Sequence, residues 1–94
     1  MATGSATLDF GATPTDEASV LVTGQTALGA ADHVEAFVMR ETTADNGLEE
    51  HEGLAVHGRF VCDNDAAGDQ FTIRAHLLAG FATGQFNVRW VYAA

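Results

Sequence analysis

Hydrophobic positions along this chain recur mostly at every second residue, and the recurrence is strictest near the carboxy-terminal end. In QFTIRAHLL, residues 70–78, Phe71, Ile73, Ala75 and Leu77 alternate with Thr72, Arg74 and His76. In QFNVRWVY, residues 85–92, Phe86, Val88, Trp90 and Tyr92 do the same. A strand with one buried face produces this period of two, because successive side chains point to opposite sides. LAVHGRFVC, residues 54–62, also alternates and puts Leu54, Val56, Gly58, Phe60 and Cys62 on one side. DNDAAGD and LAGFATGQ separate the three runs with turn-forming residues. The pattern predicts a C-terminal three-strand meander in one sheet.

The amino-terminal half is less regular. ATLDF places Ala6, Leu8 and Phe10 on one face of a short strand, and ASVLVTG, rich in β-branched residues, reads as a second strand ending at Gly24. GATPTDE between them is a loop around Pro14, the one proline, and GQTALGAAD is a glycine-punctuated connection. HVEAFVMRET fits two periods. A helix would group Val34, Phe37, Val38 and Glu41 behind an Asp32 cap, whereas a strand would turn Val34, Ala36 and Val38 inward and leave Phe37 and Met39 outward. The strand is preferred, because its neighbours are strands and Gly29 weakens a helix. ETTADNGLEEHEG, the longest polar stretch, reads as a solvated loop with room for one helical turn at LEEH. TGQ at 23–25 and 83–85 is repeated turn usage, since the flanking residues differ. Six to seven short strands with little helix predict an all-β fold, a small antiparallel β-sandwich forming one domain over residues 1–94.

The outward parity holds the cations. If the inward residues of a meander stay together, the outward ones do too, because a slip of one residue reverses every side chain. His57, Arg59, Arg74, His76 and Arg89 are therefore expected on one sheet face. That face reads either as surface ion pairs or as a docking face for an acidic partner, such as the 41–52 segment of a second copy.

Charge sharpens this expectation. There are 13 Asp and Glu against 4 basic residues, all arginine, for a formal charge of −9. So acidic a chain is repelled by a phosphate backbone, so no nucleic-acid partner is expected. No apolar run approaches the roughly 20 residues of a membrane span, and no basic amphipathic helix is present, so no membrane partner is expected either. MATGSATLDF lacks the charged start and apolar stretch of a signal peptide, which points to a soluble product made without a secretion signal. Cys62 is alone, so no disulfide forms within the chain.

Candidate chemistry is thin. Asp63, Asp65 and Asp69 in DNDAAGD have some of the spacing of a calcium loop but lack its full ligand set, and read first as a hairpin turn. His51 and His57 lie near three carboxylates in EEHEGLAVH, but the spacing matches no zinc signature, and His51 reads as a loop residue. Cys62 shares parity with Phe60, which makes it a small apolar core group rather than a nucleophile. Glu49 and Glu50 are adjacent acids in a polar loop with no implied cleft. No catalytic, cofactor or metal residues are assigned, and no enzyme activity is expected. Phe81, in a tight connection, is the aromatic expected at an exposed tip.

Taken together, ATLDFG at the start, VEAFVMRETTADNGLEEHE in the middle and GQFNVRWVYA at the end resemble small virion structural proteins of tailed bacteriophages. The likeness spans most of the chain, though its motifs are short and describe strands and turns. It implies a β-sandwich made in the host cytoplasm and carried on the virion in many copies, as a capsid decoration or a tail or fibre component. It implies partners among other virion proteins and copies of itself, with a trimer as the working count, and brings no catalytic residue. A glycan- or receptor-binding sandwich, with or without calcium, is the alternative expectation.

Overall fold

The computed structural model describes residues 2–92. The strands are β1 (Ala2–Asp9), β2 (Glu17–Val22), β3 (Val34–Phe37), β4 (Gly58–Asp65), β5 (Gln70–Leu77) and β6 (Gln85–Tyr92), with one helix, α1 (Leu48–His57), between β3 and β4. They form two three-stranded antiparallel sheets, in the orders β1-β6-β3 and β2-β5-β4. The fold is a small all-β sandwich, as the alternation predicts.

The inward parity holds along nearly every strand. Phe71, Ile73, Ala75 and Leu77 from β5 face Phe86, Val88, Trp90 and Tyr92 from β6, and all eight are buried. Leu8, Phe10, Leu28, Val34 and Leu54 complete the core from the surrounding elements. Aromatic rings meet edge to face within it, with Phe71 5.2 Å from Trp90 and Phe10 5.5 Å from Phe86. Contacts of this kind add to the burial of the rings themselves. The ambiguous segment resolves as the strand: Val34 is buried, Ala36 and Val38 pack on the core, and Phe37 and Met39 are exposed.

The C-terminal meander is not formed. β4 and β5 are a hairpin, turned by a 3-10 segment at Ala66–Gly68, but β6 crosses to the other sheet and lies between β1 and β3. β5 has no edge to offer it. One edge is paired with β2 along Glu17–Val22 and the other with β4 along Gly58–Asp65. The connection 78–84 leaves at Gly80 and returns at Gly84, both at positive φ (81° and 77°), a conformation glycine adopts without steric cost. Alternation places the β6 side chains inward all the same, because each sheet of a sandwich has an inner face.

The second difference lies at residues 48–57, where the strand over 54–62 is cut short by α1 and begins only at Gly58. Glu50 explains the start of the helix: its carboxylate accepts the Gly47 N–H at 2.9 Å, and Glu49 and Glu50 place negative charge at the positive end of the helix dipole. His51 and Leu54, one turn apart, are the buried face. Val56, expected inward beside Leu54, is instead 70% exposed.

On β1, Gly4 is a fitted position. It sits opposite Trp90, and a Cβ there would lie 2.3 Å from the indole. The indole thus covers the backbone of an edge strand where no side chain fits. Its Nε1–H is buried without a hydrogen-bond partner among the described residues, and nothing in the packing accounts for that. Gly4→Ala is expected to force Trp90 out of place and cost about 1–3 kcal/mol in a urea titration, with altered tryptophan fluorescence of the folded state. An unchanged midpoint would show that Trp90 has room to move.

Candidate functional site

Two places collect the polar chemistry of the molecule: the outer face of the β2-β5-β4 sheet, and the segment that lies along β6.

The sheet register builds the first. Glu17, His76 and Arg59 are cross-strand neighbours in one row, and Ser19, Arg74 and Val61 in the next. Together with Leu78 they border a shallow depression of about 720 Å³. Arg74 pairs with Asp63 at 2.6 Å, and His76 stands 3.3 Å from the Glu17 carboxylate and 3.8 Å from that of Asp16. Arg59 differs. Among the described residues no carboxylate lies within 4 Å of its guanidinium, although the chain carries 13 acids. Arg40 pairs with Glu52 and Arg89 with Glu41, so the remaining arginines all have partners. What the depression keeps is one guanidinium, that of Arg59, without a carboxylate partner among the described residues on a chain of net charge −9, beside exposed Val61 and Leu78.

The expected five-residue face is therefore reduced to three. Arg59, Arg74 and His76 share it. His57 is the last residue of α1, and Arg89 points outward from the other sheet, on the far side of the sandwich. Arg89 there serves the fold: its guanidinium takes both oxygens of Glu41 from the 41–47 loop. The hydrogen bond to Arg89 is the main cause holding the Glu41 carboxyl below the ordinary range, against the opposing effect of burial, and Arg89 is raised in turn. A depressed carboxylate contributes stability above its unfolded value and loses it as pH falls through the folded one, so this tie weakens on acidification.

The second place was missed from sequence altogether. β3 pairs with β6 only from Arg89 to Tyr92, which leaves the Gln85 and Asn87 end of that edge without a strand. Side chains of residues 43–51 take its place. Asp45 accepts the Gln85 N–H at 2.9 Å, and Thr43 and Asn46 donate to the Gln85 carbonyl at 2.7 and 2.8 Å. His51 Nε2 accepts the Asn87 N–H at 3.0 Å. A backbone amide can only donate, so Nε2 is unprotonated and Nδ1 carries the hydrogen it gives to the Gly47 carbonyl at 3.0 Å. His51 is fully buried, 5.1 Å from the Phe86 ring. It is not a loop residue but the latch that holds α1 to the sandwich. The signal for it, His51 and Leu54 three apart, was hidden within a stretch of acids.

The remaining candidates separate. Asp63 is engaged by Arg74 and Asp65 by Gln70 at 2.9 Å, and no group of three metal-ligating side chains gathers among the described residues. Cys62 is half-buried, and burial first, then Asp63 and Glu35, push its thiol up to about 11. It lines a groove between the edges of β3 and β4, with Val34 and Phe60. Phe81 is 72% exposed at the β5–β6 connection. Set against protein-family models, characterised proteins and solved structures, the chain matches none.

Three outcomes follow from these geometries. His51→Phe keeps an aromatic ring of similar size but strands the Asn87 N–H, so it is expected to cost about 1–3 kcal/mol and to speed amide exchange at Asn87 above all other β6 sites. Unchanged exchange there would remove the latch. Because the folded thiol titrates near 11, alkylation of Cys62 by iodoacetamide at pH 8–9 is expected to be much slower in the folded than in the urea-unfolded protein. By the same linkage, stability should fall as pH rises through the unfolded thiol range towards 11. Equal alkylation rates in both states would contradict it.

Proposed function

We propose that the protein is a non-enzymatic structural module that works by protein–protein assembly, and that the outer face of the β2-β5-β4 sheet is where it docks an acidic partner. The observation that carries the reading is Arg59, a guanidinium without a carboxylate among the described residues, between exposed Val61 and Leu78 on an acidic molecule. Arginine suits such a place because its planar fork pairs with carboxylates in two-point fashion and sheds water more readily than lysine. Interfaces are enriched in arginine for the same reason. The resemblance to small virion proteins of tailed bacteriophages supplies the setting: a capsid decoration or a tail or fibre component. A compact sandwich with its core filled by side chains suits that role.

A second reading, glycan or receptor binding, rests on Phe81, whose exposed ring at a loop tip could stack on a sugar. Asp63 and Asp65 are engaged by Arg74 and Gln70, and no group of three metal-ligating side chains gathers among the described residues, so this reading is argued from Phe81. A glycan array distinguishes the two, since binding lost in Phe81→Ser favours the sugar.

The assembly reading is tested on purified particles of the phage that encodes the chain, by mass spectrometry and cryo-electron microscopy. The protein is expected at a defined position in many copies, and Arg59→Glu is expected to reduce its copy number at least about tenfold, the effect of losing roughly 1.4 kcal/mol of binding. Absence of the wild-type protein from the particles overturns the virion setting, and full occupancy by Arg59→Glu overturns the docking face.

A further inference from the structure

The face just described needs an occupant, and the chain itself presents a surface that matches it. α1 buries His51 and Leu54, so its opposite side carries Glu49, Glu52 and Val56, at a spacing of three and four residues. Glu52 is held by Arg40 at 3.3 Å, but Glu49 has no cationic partner among the described residues. Val56 and, beside this stripe, Leu48 are exposed. The helix thus offers a free carboxylate near exposed aliphatic side chains. The sheet face offers a free guanidinium between exposed aliphatic side chains, Val61 and Leu78. The two are complementary in charge and in apolar content.

Gly53 adds an independent observation. It lies in the middle of α1 on the outward side, and a Cβ there would meet nothing within 4 Å. Nothing inside the protein requires glycine at this position, and glycine costs a helix interior about 1 kcal/mol relative to alanine. A bare stretch of helix backbone between Glu49 and Val56 allows close approach from outside. Size agrees too. A ten-residue helix is about 15 Å long, and a face of two eight-residue strands and one six-residue strand is about 26 Å by 14 Å at most.

We infer that the occupant is a second copy of this chain, whose α1 lies across the β2-β5-β4 face with Glu49 on Arg59. The inference rests on the assembly reading above and names its partner. The two surfaces are distinct, since α1 is latched to β6 of the other sheet. The contact is exchanged reciprocally in a two-fold dimer or repeated head-to-tail in a larger ring or a filament. A single helix on a small sheet face is a small interface, so each contact is weak and the assembly depends on repetition.

The test uses the isolated 94-residue chain in sedimentation velocity up to about 1 mM, where weak contacts populate. Self-association is expected, and Arg59→Glu and Glu49→Arg should each weaken it at least about tenfold. The double variant Arg59→Glu/Glu49→Arg should restore most of it, which a merely disrupted fold would not. Gly53→Gln, placed in open space, should block association while leaving the unfolding midpoint unchanged or higher. A wild-type protein that stays monomeric throughout overturns the inference, as does a double variant that fails to recover while both single variants stay folded. If the isolated protein is monomeric and Arg59→Glu still lowers its copy number in particles, the face belongs to a different acidic partner. The self-contact is then wrong and the assembly reading stands.

Discussion

The structure hangs on how the backbone of β6 is satisfied. A central strand carries hydrogen-bonding groups along both edges, and buried groups without partners cost more than most side-chain contacts return. β1 runs the full length of one edge, but β3 covers only half of the other. The uncovered half is closed by Asp45, Thr43, Asn46 and His51. That requirement explains why the acidic loop is ordered against the sandwich and why α1 begins at Leu48. It also explains why a histidine stands fully buried in a chain otherwise filled with aliphatic and aromatic residues.

The same economy of edges sets the topology. β5 is flanked on both sides, so β6 joins the other sheet, and among the described residues β4 with β5 is the only pair of consecutive strands that are neighbours. Each remaining connection passes between sheets, as is common where a sandwich must close its core from both layers. The arrangement separates the arginines. Arg89 is committed to Glu41 and to holding the loop, while Arg59 and Arg74 face away on the opposite layer. One cation ties the loop to the fold, and another, Arg59, stands exposed without a carboxylate partner among the described residues.

That division gives the functional reading its content. Among the described residues no group of three metal-ligating side chains gathers, and the half-buried thiol is held protonated by its surroundings. What stands out is a sheet face on which Arg59 has no carboxylate partner among the described residues, and a helix whose outward side carries Glu49 and Glu52 among exposed aliphatic residues. In the proposed assembly, specificity comes from charge placement and from the fit between a helix and a flat sheet, and strength from repetition.

Much of the fold was legible in the chain. Alternation at Phe71 to Leu77 and at Phe86 to Tyr92 determined which side chains are buried, because the pleat of a strand allows no other assignment once one face is dry. It also placed Arg59, Arg74 and His76 on one outer surface, whereas at Val34 to Phe37 both periods fitted and the neighbouring strands, with Gly29, favoured the strand. Alternation is blind to which layer a strand joins, since both layers of a sandwich have an inner face. Only the tertiary structure therefore moved β6 and Arg89 across the core. At residues 54–57 a period of two and a period of three to four both fitted so few positions. Long-range bonds from His51 and its loop to β6, which no local pattern encodes, decided for the helix.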